Sequence, residues 1–270
     1  MATIKALVIT GYGTNCEMEM AYACNRAGTK ADIAHISEVL GGRYSINDYH
    51  FLNLPGGFLD GDDLGSAQVE SVRLKHARVK ISGKTLFEEI ESFIGRGMLI
   101  LGVCNGFQAL VKSGILPGSP LGKRRVSLTF NDSAKFEDRW VNLKVNPLSP
   151  CVFTKGIDNF MVPVRHGEGK FVCDGNETLE EITQSNLIAV QYADDAFSPT
   201  MEYPCNPNGS VSAIAGICDR TGRIFGLMPH PEAYTHATNH PCWTRLTNLT
   251  DKGEGMAIFD NAVNFLRGIL

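Results

Sequence analysis

The stretch Met98-Leu-Ile-Leu-Gly-Val-Cys104-Asn-Gly-Phe-Gln-Ala-Leu110 constrains the fold more than any other part of the chain. An apolar run of strand length stops at Gly102, a single cysteine follows, and Gly106 opens an amphipathic segment. Strand, sharp turn and helix in the form Gly-x-Cys-x-Gly describe a nucleophile elbow on an α/β sheet. Glycine suits both flanks because helix and strand approach closely there and the turn holds strained torsions. A helix starting near Asn105 aims backbone N–H groups and its positive dipole end at the sulfur. Those features favour thiolate and can hold an oxyanion. The competing reading of Cys104 is a buried core cysteine, the usual fate of a free thiol.

Upstream, the pattern alternates strands with helices. Ile4 to Ile9 reads as a buried parallel strand, Thr10 to Asn15 as a Gly-rich turn, and Cys16 to Ala27 as a helix. The glycines of that turn do not form Gly-x-Gly-x-x-Gly, which argues against a dinucleotide site. Cys16 is expected simply to pack at the helix start. Ala31 to Ile36 and His50 to Leu54 read as the next strands, the latter ending in Pro55-Gly-Gly-Phe-Leu-Asp-Gly-Asp-Asp63. Paired glycines at a strand's C-terminal edge free the backbone to turn amides toward a ligand, although an ordinary tight turn looks the same. Ser66 to Lys84 is polar and carries Arg73, Lys75, His76, Arg78 and Lys80, which reads as a solvated face or as a docking surface. Thr85 to Ile94 reads as a helix closed by Gly95-Arg-Gly97. The first ~115 residues therefore form a parallel α/β sheet whose strand C-terminal ends hold the Gly56-Gly57 loop and Cys104.

Beyond Pro117 the spacing changes. Arg124 to Phe130, Arg139 to Val145, Phe160 to Arg165, Leu187 to Tyr192, Val211 to Cys218 and Arg223 to Met228 are strand-like, joined by Asn/Gly/Pro turns. They suggest an antiparallel or mixed extension of the same body, closed by an amphipathic helix over Glu254 to Leu266. No repeat or low-complexity linker divides the chain, so a single domain over 1–270 is expected.

Composition excludes several classes. The net charge is −4 with no block of like charge, so nothing supplies an electrostatic footprint for nucleic acid. No run approaches the ~18 apolar residues of a membrane span, and Met1-Ala-Thr-Ile-Lys leads into a strand pattern rather than a signal peptide. The eight cysteines (Cys16, Cys24, Cys104, Cys151, Cys173, Cys205, Cys218, Cys242) are scattered and include no Cys-x-x-Cys pair. Reduced thiols in a cytoplasmic protein are the expectation.

Met228-Pro-His-Pro-Glu232 supplies a second chemical group. Prolines on both sides of His230 bar a continuing helix or ladder, so the imidazole sits on a stiff loop. Two residues on, Glu232 can bond the other ring nitrogen and support the imidazolium, completing a Cys-His-acid set. A lone His-Pro-Glu is more often a surface turn; its weight comes from coexisting with the elbow and the Gly-Gly loop. His230, His236, His240 and Cys242 also offer nitrogen and sulfur close together. Their spacing matches no common zinc pattern, so no metal is expected.

With these residues in place, the chain resembles the class I, triad-type glutamine amidotransferases. More narrowly, it resembles the glutaminase subunits of phosphoribosylformylglycinamidine synthase, in purine biosynthesis. The likeness is carried by Gly13-Thr-Asn-Cys-Glu17, Met20-Ala-Tyr-Ala23, Leu54-Pro-Gly-Gly-Phe58, Gly61-Asp62 and Gly102-Val-Cys-Asn-Gly-Phe-Gln108. It continues through Leu128-Thr-Phe-Asn-Asp-Ser133, Phe136-Glu-Asp-Arg-Trp-Val141 and Pro163-Val-Arg-His-Gly-Glu-Gly-Lys-Phe171, then Asn206-Pro-Asn-Gly-Ser210, Ile214-Ala-Gly-Ile217 and Met228-Pro-His-Pro-Glu232. The elbow and His-Pro-Glu identify the superfamily; His-Gly-Glu-Gly, Asn-Pro-Asn-Gly-Ser and Arg-Trp-Val point to the narrower family.

The resemblance implies a flavodoxin-like, open, mostly parallel sheet with flanking helices and an antiparallel extension. It implies that Cys104 attacks the side-chain amide of L-glutamine to give a γ-glutamyl thioester, with His230 as base and Glu232 orienting it. It implies an oxyanion hole from the amides of Gly57 and Asn105, and a glutamine pocket lined by Phe58, Gln108, His166, Gly167 and Glu168. The implied partners are a synthetase subunit, which uses ATP and Mg to make formylglycinamidine ribonucleotide, and a small bridging subunit as a further option. No cofactor is expected on this chain, which lacks a Gly-x-x-x-x-Gly-Lys-Ser/Thr loop. Leu64 to Lys84 and Thr235 to Gly255 look longer than in compact members of the family. The competing readings are another Cys-triad enzyme such as a γ-glutamyl hydrolase, a catalytically idle scaffold, and a redox or chaperone protein.

Overall fold

The computed structural model describes residues 3–118, 120–247 and 250–270. Positions 248 and 249 of the Thr235 to Gly255 stretch, and the Met1-Ala2 lead into the first strand, lie outside the described residues.

The first half is built from β1 (Lys5–Thr10), α1 (Glu17–Ala27), β2 (Lys30–His35), α2 (Ile36–Gly41), β3 (Phe51–Leu54), α3 (Gln68–His76), α4 (Leu86–Gly95), β4 (Leu99–Val103) and α5 (Asn105–Lys112). The second half adds β5 (Val126–Thr129), β6 (Glu137–Val145), β7 (Asn159–His166), β8 (Lys170–Cys173), α6 (Asn176–Gln184), β9 (Ile188–Ala193), β10 (Ile214–Cys218), β11 (Ile224–Leu227) and α7 (Met256–Ile269). Nine strands form one sheet in the order β2-β1-β3-β4-β11-β10-β9-β6-β7, while β5 and β8 make a separate two-stranded ribbon.

The sheet changes character at β11. From β2 to β11 every pair is parallel; from β11 to β7 every pair is antiparallel. The sequence shows why. Leu99–Val103 and Phe51–Leu54 are buried at every position, as strands covered on both faces must be. Along β6, Val141, Leu143 and Val145 are buried in alternation with partly exposed Asn142 and Lys144, as in a strand with one wet face. Right-handed crossovers outward from β1 to β2 and inward from β3 to β4 place their helices on opposite faces. Accordingly α1 packs on α7, and α3 packs on α4 and α5. One continuous apolar core runs from Ile4 to Leu266 through both halves.

Three expectations change. The segment read as polar and solvated, Ser66 to Lys84, contains α3; this helix lacks an apolar stripe because it buries Glu70 and Ser71 beside Leu74. The strand expected over Arg124 to Phe130 shortens to β5 and leaves the main sheet for β8, whose four residues gave no strand signal of their own. The strand expected over Val211 to Cys218 begins with a 3-10 turn at Val211–Ala213 before β10. Helices α2 and α6 are additions. Helix α2 starts at the last residue of the expected second strand, Ile36, under a His35–Glu38 capping box.

Candidate active site

Strands β3, β4 and β11 are neighbours, and the loops leaving their C-terminal ends meet over the sheet. The elbow after β4 is as tight as its glycines require. Cys104 sits at φ 52° and ψ −105°, a strained position held by its amide donating to the Leu227 carbonyl at 2.9 Å. A Cβ on Gly106 would lie 1.9 Å from the Leu54 carbonyl oxygen, and one on Gly102 would lie 2.7 Å from that of Gly106. Larger residues would push helix α5 off the sheet.

The loop after β3 is pinned by a bridge between Thr14 and Gly57, with Phe58 N–H donating to the Gly13 carbonyl at 2.7 Å. Gly57 has φ +138°, and a Cβ there would lie 2.7 Å from the Gly13 carbonyl. Among the described residues, neither the Gly57 nor the Asn105 N–H donates a backbone hydrogen bond. Both remain available to an anion. The Asn105 side chain locks the two loops together, accepting from Leu59 N–H at 3.0 Å and donating to Gln108 Oε1 at 3.1 Å.

His230 arrives on the loop after β11, anchored by its N–H donating to the Pro163 carbonyl of β7 at 2.8 Å. Its ring is buried, with Nδ1 2.7 Å from Glu232 Oε1 and Nε2 without a hydrogen-bond partner among the described residues. Burial works against its protonation. The adjacent Glu232 carboxylate, with Cys104 and Cys16, overcomes burial and holds the imidazole well above its ordinary range. The Cys104 thiol donates at 3.6 Å to the Arg165 carbonyl. An added Cβ on Gly56 would touch His230 Cε1 (2.7 Å), Cys16 Sγ (3.2 Å) and Cys104 Cβ (3.4 Å), so this glycine marks where the three converge. Cysteine, buried imidazole and carboxylate, with two open amides beside the sulfur, can carry out nucleophilic acyl transfer.

A cavity of about 220 Å³ opens over Cys104, lined by Cys16, Gly57, Phe58, Phe136 and Arg165, with Asn15 and Glu19. A second hollow of about 510 Å³ shares Glu19 and Arg165 with it and reaches Glu232. A hollow of about 730 Å³ beside Cys151, Lys155 and Phe265 touches none of these groups.

The residues expected to line a glutamine pocket are placed in two settings. Phe58 lines the cavity; Gln108, His166, Gly167 and Glu168 do not, because their polar groups are engaged with one another and with neighbouring loops. Gln108 Nε2 donates to the Glu168 carbonyl at 2.6 Å, and the Gly167 carbonyl accepts from Asn131 N–H at 3.0 Å. The Glu168 carboxylate accepts from Ser66 N–H at 3.0 and 3.2 Å and lies 3.7 Å from Lys112 Nζ. His166 is buried between Asn131 Oδ1 (3.2 Å) and Asn208 Nδ2 (3.5 Å), and burial, aided by the nearby His230 charge, pushes it down to about 3. Neutral His166 thus donates from Nδ1 and accepts at Nε2, a structural part of the wall.

Sequence reasoning missed Cys16, Glu19, Phe136 and Arg165. Cys16 does pack at the start of α1, but its sulfur also lies 3.9 Å from His230 Nδ1, and burial raises its pKa. No local pattern signals a contact across 214 positions. Arg165 was next to an expected pocket residue and could have been flagged from that alone. Among the described residues, Cys16, His230 and Glu232 are the one trio with metal-ligating atoms within 4.8 Å of one another, and the His230–Glu232 hydrogen bond occupies two of those atoms. His236 bonds Thr238 and Asp251 instead of joining His230. All eight cysteines are unpaired, and no helix among the described residues is long and apolar enough to cross a membrane.

The Ser66 to Lys84 segment is tied to the site. Arg73 pairs with Asp60 of the Gly-Gly loop at 2.7 Å, and Lys75 Nζ donates to the Gly122 carbonyl at 3.1 Å.

A model of the CobB/CobQ-like glutamine amidotransferase domain matches residues 3–266. The phosphoribosylformylglycinamidine synthase subunit PurQ of Dehalococcoides mccartyi is 43% identical over 271 residues, covering 100% of both chains. The protein of that name from Methanococcus maripaludis is 41% identical, covering 97% of each. Among solved structures, PurLQS from Thermotoga maritima superposes with a TM-score of 0.70 at 27% identity, covering 98% of this chain and 100% of that one. A glutamine amidotransferase from Thermotoga maritima superposes with a TM-score of 0.50 at 17% identity, covering 91% of this chain and 82% of that one, a likeness of fold alone. Matched to the family from residue 3 to residue 266 and to relatives end to end, this chain belongs to the CobB/CobQ-like glutamine amidotransferases.

Proposed function

We infer that the chain is the glutaminase subunit of phosphoribosylformylglycinamidine synthase. It hydrolyses L-glutamine and delivers ammonia to a synthetase partner, within a C–N bond-forming ligase. The observation that carries the chemistry is a buried His230 with Nδ1 held by Glu232 and Nε2 without a partner among the described residues, set beside the Cys104 elbow. Full-length relatives named PurQ, and a PurLQS structure of the same fold, support the assembly with a synthetase and a small third subunit.

In this reading His230 Nε2 takes the Cys104 proton as the sulfur attacks the glutamine side-chain carbonyl. The carbonyl oxygen becomes an oxyanion between the Gly57 and Asn105 amides. Collapse of the adduct forms the γ-glutamyl thioester, and the departing nitrogen takes the proton from His230 to leave as ammonia. His230 then deprotonates water, which attacks the thioester to release glutamate and restore the thiol. Glu232 fixes the ring and supports its charge throughout. None of these steps needs a cofactor on this chain; ATP and Mg belong to the synthetase reaction. Free thiols and a small-metabolite substrate suit the cytoplasm.

The test is the steady-state glutaminase rate of the chain alone, then with its synthetase and nucleotide ligands. Assembly is expected to raise it at least about tenfold, or roughly 1.4 kcal/mol of barrier. A rate unchanged by the partner would favour a free-standing γ-glutamyl hydrolase.

A further inference from the structure

The loop that carries the Gly57 amide is tied down by main-chain donors. Phe58 N–H donates to the Gly13 carbonyl at 2.7 Å, Asp60 N–H to the Tyr12 carbonyl at 3.1 Å, and Leu59 N–H to Asn105 Oδ1 at 3.0 Å. A side chain makes a further tie from outside the cavity: Asp60 Oδ1 lies 2.7 Å from the Arg73 guanidinium on α3. Asp60 stands at φ +66°, a left-handed conformation that costs energy for a residue with a Cβ. Such a conformation persists only where its surroundings over-determine it.

Arg73 serves two buried carboxyl groups. The Asp60 side chain is 7% exposed, and its Oδ2 has no hydrogen-bond partner among the described residues. Glu70, one turn before Arg73 on α3, is also buried, and its Oε2 is likewise without a partner among the described residues. Burial raises both carboxyls, and Arg73 opposes that rise at each, joined by His35 at Asp60. The ion pair goes to Asp60, the carboxylate in the loop. Helix α3 also packs on α5, whose first residue, Asn105, supplies the other open amide.

We propose that Arg73 is a positioning residue for glutamine hydrolysis, its ion pair with Asp60 holding the loop so that the Gly57 amide faces the oxyanion. This assignment rests on the glutaminase reading of the preceding subsection. The amide matters most once the substrate oxygen carries full negative charge, so a loosened loop lowers kcat and spares KM.

The experiment measures kcat and KM for glutamine in the complex, across a range of synthetase concentrations. The variants are Arg73→Gln, Asp60→Asn, the two combined, and Arg73→Lys. Each of the first two is expected to lower kcat about tenfold or more, with KM within about threefold of the parent. The double variant should fall no more than about threefold below the worse single one, because both changes remove one interaction. Arg73→Lys keeps a cation at Asp60 and should hold kcat within about threefold of the parent. Synthesis from added ammonium salt should run at the parent rate throughout. A third of the Arg73 side chain is exposed, so Arg73→Gln and Arg73→Lys decide the matter even if Asp60→Asn fails to fold. Parental kcat in Arg73→Gln, losses that multiply in the double variant, Arg73→Lys as impaired as Arg73→Gln, or a loss carried by KM would overturn the proposal. So would a loss that more synthetase restores, which would make Arg73 a docking residue. Those outcomes leave the glutaminase reading standing; that reading fails separately, if Cys104→Ser still hydrolyses glutamine.

Discussion

The parallel strands β3, β4 and β11 deliver the Gly56-Gly57 loop, Cys104 and His230 from three adjacent C-terminal ends, so topology alone gathers the groups proposed to react. The antiparallel half works differently. Strand β7 passes beside that edge and offers the Pro163 carbonyl to His230 and the Arg165 carbonyl to Cys104. Behind it, Asn131, His166, Asn208 and Ser210 make a buried polar mesh. One half places chemistry by strand order, and the other places walls by side-chain networks. Variants in the first should destroy turnover with the fold intact; variants in the second should show in stability and substrate affinity.

The largest effect is expected at the elbow. Cys104→Ser should lower glutamine hydrolysis by on the order of 10⁴ or more, since a hydroxyl here is far harder to ionise than a thiol. Synthesis from added ammonium salt by the complex should persist. Residual glutaminase activity near the parent level would remove Cys104 as nucleophile.

Next comes Glu232→Gln. The glutamine side chain can still bond His230 Nδ1 but cannot support imidazolium. The equivalent Asp-to-Asn change in a serine-protease triad costs about 10⁴ in rate, and a loss of roughly two to four orders of magnitude is expected here. The pH–rate profile should also move, because the carboxylate is what holds the His230 pKa up against burial. A rate within about threefold of the parent would put the orienting group elsewhere.

The two halves were not equally legible in the sequence. Apolar runs such as Leu99–Val103, a glycine on each side of Cys104, and two prolines around His230 are local signals with local causes. They sufficed to expect the parallel sheet, the elbow and the His-Pro-Glu loop. Cys16 near His230, Ser66 under Glu168 and Asn131 against His166 are contacts between distant segments, set by how whole strands pack. Helix α3 escaped for a related reason: Glu70 and Ser71 read as solvated residues in the sequence, yet the fold buries both. Burial, with Asp60 nearby, pushes the Glu70 carboxyl well above the ordinary carboxylate range.

A third prediction uses pH to separate the halves. His166 has its pKa pushed down to about 3 in the fold, against an ordinary 6.5. The unfolded chain therefore binds the extra proton between those values. The stability His166 contributes is full above about pH 6.5 and is lost as pH falls toward 3, at up to ~1.4 kcal/mol per unit. His230, raised instead, contributes fully below about 6.5 and loses that contribution as pH rises through its folded value. Urea midpoints at pH 7 and pH 5 should show His166→Gln losing stability relative to the parent at pH 7, with the gap narrowing by roughly 2 kcal/mol at pH 5. A gap that stays constant would mean that acid sensitivity resides in carboxylates.

The smallest effect sharpens the comparison most. The family resemblance makes Glu168 a glutamine-binding residue, whereas the structure commits its carboxylate to Ser66 N–H and the Lys112 ammonium. Lys112 is itself nearly buried and donates to the Ser66 carbonyl, so the three residues clamp the end of the Gly-Gly loop to α5. Glu168→Gln keeps an acceptor for Ser66 but removes the charge facing Lys112. The expected loss is about 1.5–3 kcal/mol of stability, the scale of one charged hydrogen bond. KM for glutamine should stay within about threefold of the parent if Glu168 is a clamp, and should rise tenfold or more if its carboxylate touches substrate. Adding Lys112→Met should recover part of the stability loss without altering KM, because it removes the buried charge that Glu168→Gln leaves poorly paired. Recovery in the double variant with KM unchanged would place Glu168 with the walls; a KM defect that survives Lys112→Met would move it among the residues that hold glutamine.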